Sequence, residues 1–307
     1  MKQQWPNFFI VGAAKSGTTS LHEYLARING IYMSPIKEPN FFLEEVGPLY
    51  GHLLEAHFAD EREYLSLFKP KHGETILGES SVTYLCDDKA AGRIHDKVPD
   101  ARIVIILRDP IERAYSHFLH HLKYGFETSF DFLEAIKSDY NKERKGIGFA
   151  HMYIEYGLYS HQIQRYFDLF GRSRVKVIIY EDEFRPKTKE TVQDVVYFLG
   201  LNNRVPDEVV REVFNISSVS GSLEVPRSRA VSMMNNLVRS IRGNNVFLKN
   251  LIHPVSSVVW RRFLVTNKEK PPLAGNAVKF LKEIYRADVQ ELPKILEVTP
   301  SWATSYH

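Results

Sequence analysis

The chain has 307 residues, 44% hydrophobic and 25% charged, an ordinary globular composition that excludes a disordered or fibrous protein. Lys and Arg number 40 against 37 Asp and Glu, so the formal net charge is +3. That balance excludes a general nucleic-acid binder and leaves room for a local basic pocket holding a small polyanion.

The first residues, Met1-Lys2-Gln3-Gln4-Trp5-Pro6, have no apolar leader core, and the apolar run over 8–14 is too short for one and ends at Lys15. No window reaches the length of a membrane span. Cys86 is the only cysteine, so no intrachain disulfide can form, and the expected compartment is the reducing cytoplasm. Residues 8–11 (Phe-Phe-Ile-Val) read as a strand running into Gly12-Ala13-Ala14-Lys15-Ser16-Gly17-Thr18-Thr19 and a helix over 18–27. A strand, a glycine-bounded loop and a helix start make an anion cradle, because backbone N–H groups and the positive helix end converge on one phosphate. Gly12 and Gly17 have Walker A spacing, but Thr18 stands where a P-loop NTPase needs its lysine. The lysine is Lys15, inside the loop.

Glu38 follows in Pro35-Ile36-Lys37-Glu38-Pro39-Asn40-Phe41-Phe42, a polar island beside a buried-looking Phe pair. Apolar rings would disfavour its charged form and raise its pKa, which suits a general base. A strand over 75–77 leads to Gly78-Glu79-Ser80, and Glu79 is expected at the ligand edge, able to orient Lys15 or an acceptor. A helix over 89–97 precedes the strand over 102–107.

That strand ends in Arg108, where a Walker B strand would end in an aspartate for Mg²⁺. Arg108-Asp109-Pro110 opens a helix over 111–123, and Ser116 lies about two turns in, on a face able to turn back toward Arg108. A guanidinium fork and a hydroxyl suit a second phosphate. A cradled phosphate, a displaced lysine and this arginine fit a nucleotide with separate phosphates and no essential metal. His117, His120 and His121 follow, expected on the helix surface. No Cys or carboxylate shows metal-site spacing beside them.

Residues 138–148 are charged and Gly-bearing and read as a solvated loop, with a mobile lid over the acceptor as the alternative. A helix over 153–170, a strand over 175–180 and helices over 187–199 and 207–214 follow. From Pro226 onward the chain reads as helical, without a clear strand. The alternation predicts an α/β fold: a single P-loop-like domain whose central parallel sheet is flanked by helices, with a core over about 6–225 and a helical C-terminal extension over about 226–307. Ligands of such sheets sit at the carboxyl ends of the strands.

The Lys-Ser-Gly-Thr-Thr loop and the Arg-Asp-Pro-x-x-Arg-x-x-Ser stretch resemble the 5′- and 3′-phosphate motifs of sulfotransferases that use 3′-phosphoadenylyl sulfate (PAPS), in particular bacterial sulfotransferase-domain proteins and the heparan sulfate enzymes. The resemblance implies transfer of the sulfuryl group of PAPS to a hydroxyl or amine, with adenosine 3′,5′-bisphosphate as product and no metal. It implies that Lys15, Ser16, Gly17, Thr18 and Thr19 hold the 5′-phosphosulfate, and that Arg108 and Ser116 hold the 3′-phosphate. Tyr180, in Ile-Ile-Tyr-Glu-Asp, matches an adenine-contacting tyrosine, and Arg227 and Arg229 stand where the family closes over the nucleotide. The Lys-Glu-x-x-Phe-Phe pattern resembles the one carrying the catalytic glutamate of heparan sulfate sulfotransferases. Lys15 is then expected on the leaving phosphate and Glu38 as base, with Glu79 second in rank for that role. Phe41, His120 and His121 are acceptor-side candidates. Ser80 stands where the heparan sulfate enzymes carry a lysine, a departure that argues against a polysaccharide. Small metabolite, lipid, saccharide and carrier-bound acceptors stay open. The alternatives are a P-loop-type nucleotide kinase and a nucleotide-binding protein without catalysis.

Overall fold

The computed structural model describes residues 4–43, 45–47, 57–211, 222–226 and 265–306. A five-stranded parallel sheet forms its centre, in the order β2-β3-β1-β4-β5. The strands are β1 (Phe8–Gly12), β2 (Ile31–Met33), β3 (Ile76–Ser80), β4 (Arg102–Leu107) and β5 (Val175–Ile179). β1 is buried at every position, as a central strand covered on both faces must be. Gly78 lets β2 and β3 close up: a Cβ there would sit 2.6 Å from both Met33 Sδ and Phe8 Cδ1.

Helices cover both faces. Leu21, Tyr24 and Leu25 of α1 (Thr18–Leu25) and Val192, Val195 and Val196 of α7 (Thr188–Phe198) pack with Phe8, Ile10, Val104, Ile106 and Ile178. The opposite face carries Phe9, Val11, Ile103, Ile105 and Leu107 under α3 (Ala90–Lys97), α4 (Pro110–Tyr124) and α6 (Tyr159–Phe170). Two further helices, α2 (Glu61–Leu65) and α5 (Phe132–Tyr140), flank these layers, and α8 (Gly275–Leu296) packs on α6 and α4. No helix among the described residues is long and apolar enough to cross a membrane.

The expected α/β architecture is therefore present, together with a C-terminal helix. Several elements differ from expectation. β6 (Ser222–Pro226) and β7 (Val265–Glu269) form an antiparallel ribbon, so the region after Pro226 does contain a strand. β7 reads Val-Thr-Asn-Lys-Glu, too polar to announce itself, and exists by pairing. The helix over 153–170 is interrupted: a 3-10 turn spans Glu155–Gly157, and α6 starts only at Tyr159. At Gly157 a Cβ would lie 2.8 Å from the Tyr285 hydroxyl, so α8 leaves no room for a side chain there. The stretch over 207–214 is a 3-10 turn at Asp207–Val210, and its last residues lie outside those described. Residues 138–140 of the expected loop complete α5, and the rest is anchored as well as solvated. Buried Asp139 accepts from the His151 amide at 2.7 Å and the Tyr153 amide at 3.2 Å, and Ile147 is buried, while Glu143 and Arg144 stay exposed.

Candidate functional site

The order of the strands makes a crevice beside β1. After β1 the chain fills positions on one side (β2, β3), then moves to the other (β4, β5). The loops after β1 and β4 consequently flank a switch point, where open α/β sheets bind ligands. The two loops are tied together. Ala13 N–H donates to the Ile106 carbonyl at 2.8 Å, and Arg108 Nη1 donates to the Lys15 carbonyl at 3.1 Å. β1 also bulges against β4 between Ile10 and Gly12, which bends the strand end toward the loop.

Within the loop, Lys15 has φ +68° and Gly17 φ +90°. Gly17 is the N-cap of α1, and no side chain caps the helix, so the first-turn amides are available to an anion. A Cβ on Gly17 would lie 3.0 Å from Phe184 Cε1 and 3.1 Å from Tyr180 Cε2. The Tyr180 ring thus stands against the helix start, and the Arg108 guanidinium lies over it, 5.5 Å from its centroid. Ser16 is fully buried, and its Oγ has no hydrogen-bond partner. Thr18 is buried and Thr19 half-buried.

Lys15 is half-buried and forms no ion pair among the described residues. Burial pushes its ammonium down to about 8, Glu38 pulls it partly back, and Lys37, Arg108 and Lys123 push it down further. Glu38 is close enough to act on Lys15, so the structure brings together two residues 23 positions apart. Lys37 Nζ pairs with Glu38 Oε1 at 2.6 Å. Phe41 and Phe42 do not wrap this carboxylate as expected; they pack with Trp5, Tyr64 and Tyr84.

Arg108 Nε is buried and unbonded, and 3.9 Å from Glu181 Oε1. Glu181 was not singled out by the sequence reading. Burial raises its pKa, and the backbone amides of Glu181 and Asp109, followed by the Arg108 guanidinium, act against that shift. Its signal was its place beside Tyr180 in the loop after β5, another strand end. Asp109 caps α4, accepting from the Ile111 and Glu112 amides at 2.8 and 3.1 Å, and Tyr306 donates to it at 3.0 Å. Ser301 donates its amide to Asp182 at 2.9 Å. The last 3-10 turn, Ser301–Tyr306, therefore braces the loops after β4 and β5. Ser116 is buried on α4. Arg227 and Arg229 lie outside the described residues.

Two expectations are overturned. Glu79 does not face the ligand edge: it is fully buried, on the face of β3 shared with Leu77, and accepts from Tyr64, Tyr84 and Ser81. Burial raises it to about 7 against the opposing pull of these three hydroxyls. His117 and His121 are not on the helix surface. Both are buried, with ring centroids 4.3 Å apart, and His121 Nδ1 lies 3.0 Å from the Tyr153 hydroxyl. α4 runs beneath the segment carrying Tyr153 and Tyr156, so this face is roofed by residues distant in sequence. Burial holds both rings well below the usual histidine range. His120 is half-buried. No group of three or more His, Cys, Asp or Glu suited to a metal occurs among the described residues.

Comparison with known proteins gives a consistent result. A family model described as "Sulfotransferase family" matches residues 6–205. The chain is 27% identical over 206 residues to the bifunctional heparan sulfate N-deacetylase/N-sulfotransferase 1 of Caenorhabditis briggsae, a match covering 65% of this chain and 23% of that protein. It is 24% identical over 282 residues to human carbohydrate sulfotransferase 15, covering 75% of this chain and 49% of that one. The chain thus spans less than half of either relative. Among solved structures, a sulfotransferase from Alicyclobacillus acidocaldarius superposes with a TM-score of 0.60 at 34% identity, covering 84% of this chain and 100% of that chain.

Proposed function

Because the chain belongs to the sulfotransferase family, through the match over residues 6–205, we propose that it moves the sulfuryl group of PAPS to a hydroxyl or amine of an acceptor. One observation carries the choice of donor. Two buried polar atoms without a hydrogen bond, Ser16 Oγ and Arg108 Nε, flank the switch point from opposite loops. Burying such groups unbonded is costly, and a ligand with two separate phosphates would satisfy both. PAPS supplies the activated sulfuryl group and leaves as adenosine 3′,5′-bisphosphate.

In this reading Lys15, Ser16, Gly17, Thr18 and Thr19 bind the 5′ side, Arg108 and Ser116 the 3′-phosphate, and Tyr180 the adenine. Lys15 offsets negative charge that grows on the leaving oxygen. Glu38 takes the acceptor's proton, on a loop that also brings Phe41 to the acceptor side. His120 stays an acceptor-side candidate. His121 does not, since it is buried and occupied by Tyr153. A kinase is disfavoured because Arg108 directly follows β4, while the neighbouring Asp109 is spent on capping α4. The acceptor is a small metabolite, a lipid, a saccharide or a carrier-bound chain. Ser80, standing in for the lysine of the heparan sulfate enzymes, is fully buried 2.9 Å from His22 Nδ1, which weighs against a sulfated polysaccharide.

The test is thermal melting with adenosine 3′,5′-bisphosphate against ATP with Mg²⁺. A ligand at about a hundred times its Kd adds about 2.7 kcal/mol to the native state. The bisphosphate should raise Tm and ATP should do much less; equal shifts would refute the donor assignment.

A further inference from the structure

The fully buried Glu79 has no place in the chemistry just described, yet everything it binds leads to the loop that carries Glu38. Ser81 Oγ donates to Glu79 Oε2 at 2.7 Å and accepts from the Asn40 amide at 3.1 Å. Tyr84 donates to Glu79 Oε1 at 3.1 Å and accepts from the Phe42 amide at 3.2 Å. Tyr64 donates to Glu79 Oε1 at 2.8 Å, and its ring stacks on Phe41 at 4.4 Å and 11°. Three consecutive residues, Asn40, Phe41 and Phe42, are therefore each held by a different donor to one carboxylate.

A hydroxyl has one proton. Once Ser81 and Tyr84 have given theirs to Glu79, only lone pairs remain to face the loop, and these suit the Asn40 and Phe42 amides. The loop needs such a hold. Glu38 has φ +61° and Asn40 φ +55°, left-handed conformations that a glutamate seldom adopts and that persist only when the surroundings enforce them. The remaining ties close the frame. Glu38 N–H donates to the Ser80 carbonyl at 2.8 Å, Asn40 Nδ2 to the Glu38 carbonyl at 2.5 Å, and Thr83 Oγ1 to Asn40 Oδ1 at 2.7 Å.

We propose that Glu79 is the positioning residue of this site: its carboxylate orients the Ser81 and Tyr84 hydroxyls as acceptors and so fixes the backbone that presents Glu38. The inference rests on Glu38 being the general base. Glu79→Gln keeps the shape but brings an NH₂ group against at least one hydroxyl, which must then accept from it and turn its own proton on a loop amide.

The experiment pairs residue-resolved amide exchange with kinetics. Glu79→Gln should speed exchange at Asn40 or at Phe42, according to which hydroxyl meets the NH₂ group, by about three- to tenfold, the worth of one neutral hydrogen bond. Ser81→Ala should do so at Asn40 alone and Tyr84→Phe at Phe42 alone, which keeps the test open should Glu79→Gln fail to fold. Turnover of Glu79→Gln should fall by about 10–10²-fold, the effect of a misplaced reacting group, with bisphosphate affinity unchanged. Added to Glu38→Gln, it should lower turnover no further. Unchanged exchange at both amides, or turnover and bisphosphate affinity falling together, would overturn the proposal. If Glu38→Gln itself leaves turnover intact, the general-base reading fails, while the exchange data still decide whether Glu79 holds the loop.

Discussion

Replacing Arg108 with alanine tests the two proposed phosphate subsites separately. The Arg108 side chain is only 19% exposed, and its donors are unequally engaged. Nη1 is committed to the Lys15 carbonyl at 3.1 Å, Nη2 reaches a half-exposed Glu112 at 3.4 Å, and Nε makes no hydrogen bond. Nε has only a long ion pair, 3.9 Å to Glu181 Oε1, so the guanidinium can give a 3′-phosphate a charge-assisted bond without first breaking a strong one. Such a bond is worth about 1.5–3 kcal/mol, which corresponds to roughly 10- to 150-fold in Kd. Arg108→Ala also releases the Lys15 carbonyl and leaves Glu181 without its cation, and both effects loosen the loops around any nucleotide. The informative quantity is thus a ratio. Calorimetric titration with adenosine 3′,5′-bisphosphate and with adenosine 5′-monophosphate should show the first losing about 10- to 150-fold more than the second. Repeating it in Glu181→Gln, which removes the stranded carboxylate, should leave that ratio unchanged. If both nucleotides weaken equally, Arg108 serves only to hold the Lys15 carbonyl, and the second phosphate site lies elsewhere.

Other perturbations test the same frame. Burial lowers Lys15 to about 8 from 10.5, so between these values the native state holds fewer protons than the unfolded chain and stability increases with pH. Lys15→Met should therefore raise Tm at pH 7 while lowering turnover, and its Tm advantage should shrink as pH rises from about 8 toward 10.5. Gly17→Ala forces a side chain into a φ of +90° and against Phe184 and Tyr180; unfolding in urea should show a loss of at least about 1–2 kcal/mol, with weaker bisphosphate binding as Tyr180 moves. Asp109→Ala removes the cap of α4 and the partner of Tyr306, and should lower urea stability by about 0.5–2 kcal/mol from the cap alone.

The sequence by itself determined the parallel core and the loops that follow β1 and β4. Residues 8–11 and 103–107 are continuous apolar runs, the pattern of strands covered on both faces, and both are fully buried. The displacement of lysine to Lys15 and the arginine closing β4 are local features, readable without knowing what lies opposite. Contacts between distant segments were not readable. β7 is polar and forms through its pairing with β6, and the close neighbour that leaves Gly157 no room for a side chain, Tyr285, arrives from 128 residues further along. Glu79, His117 and His121 follow the same logic. Their residue types suggested exposed chemistry, and tertiary packing buried them. What a titratable side chain does depends on which hydroxyls, rings and charges fold against it. For Glu79 those are Tyr64, Ser81 and Tyr84, two of them only two and five residues away, yet the loop they hold begins some forty residues earlier. Hydrogen-bond direction and burial are properties of that assembled neighbourhood, so only the tertiary structure could show Glu79 buried behind the loop that carries Glu38.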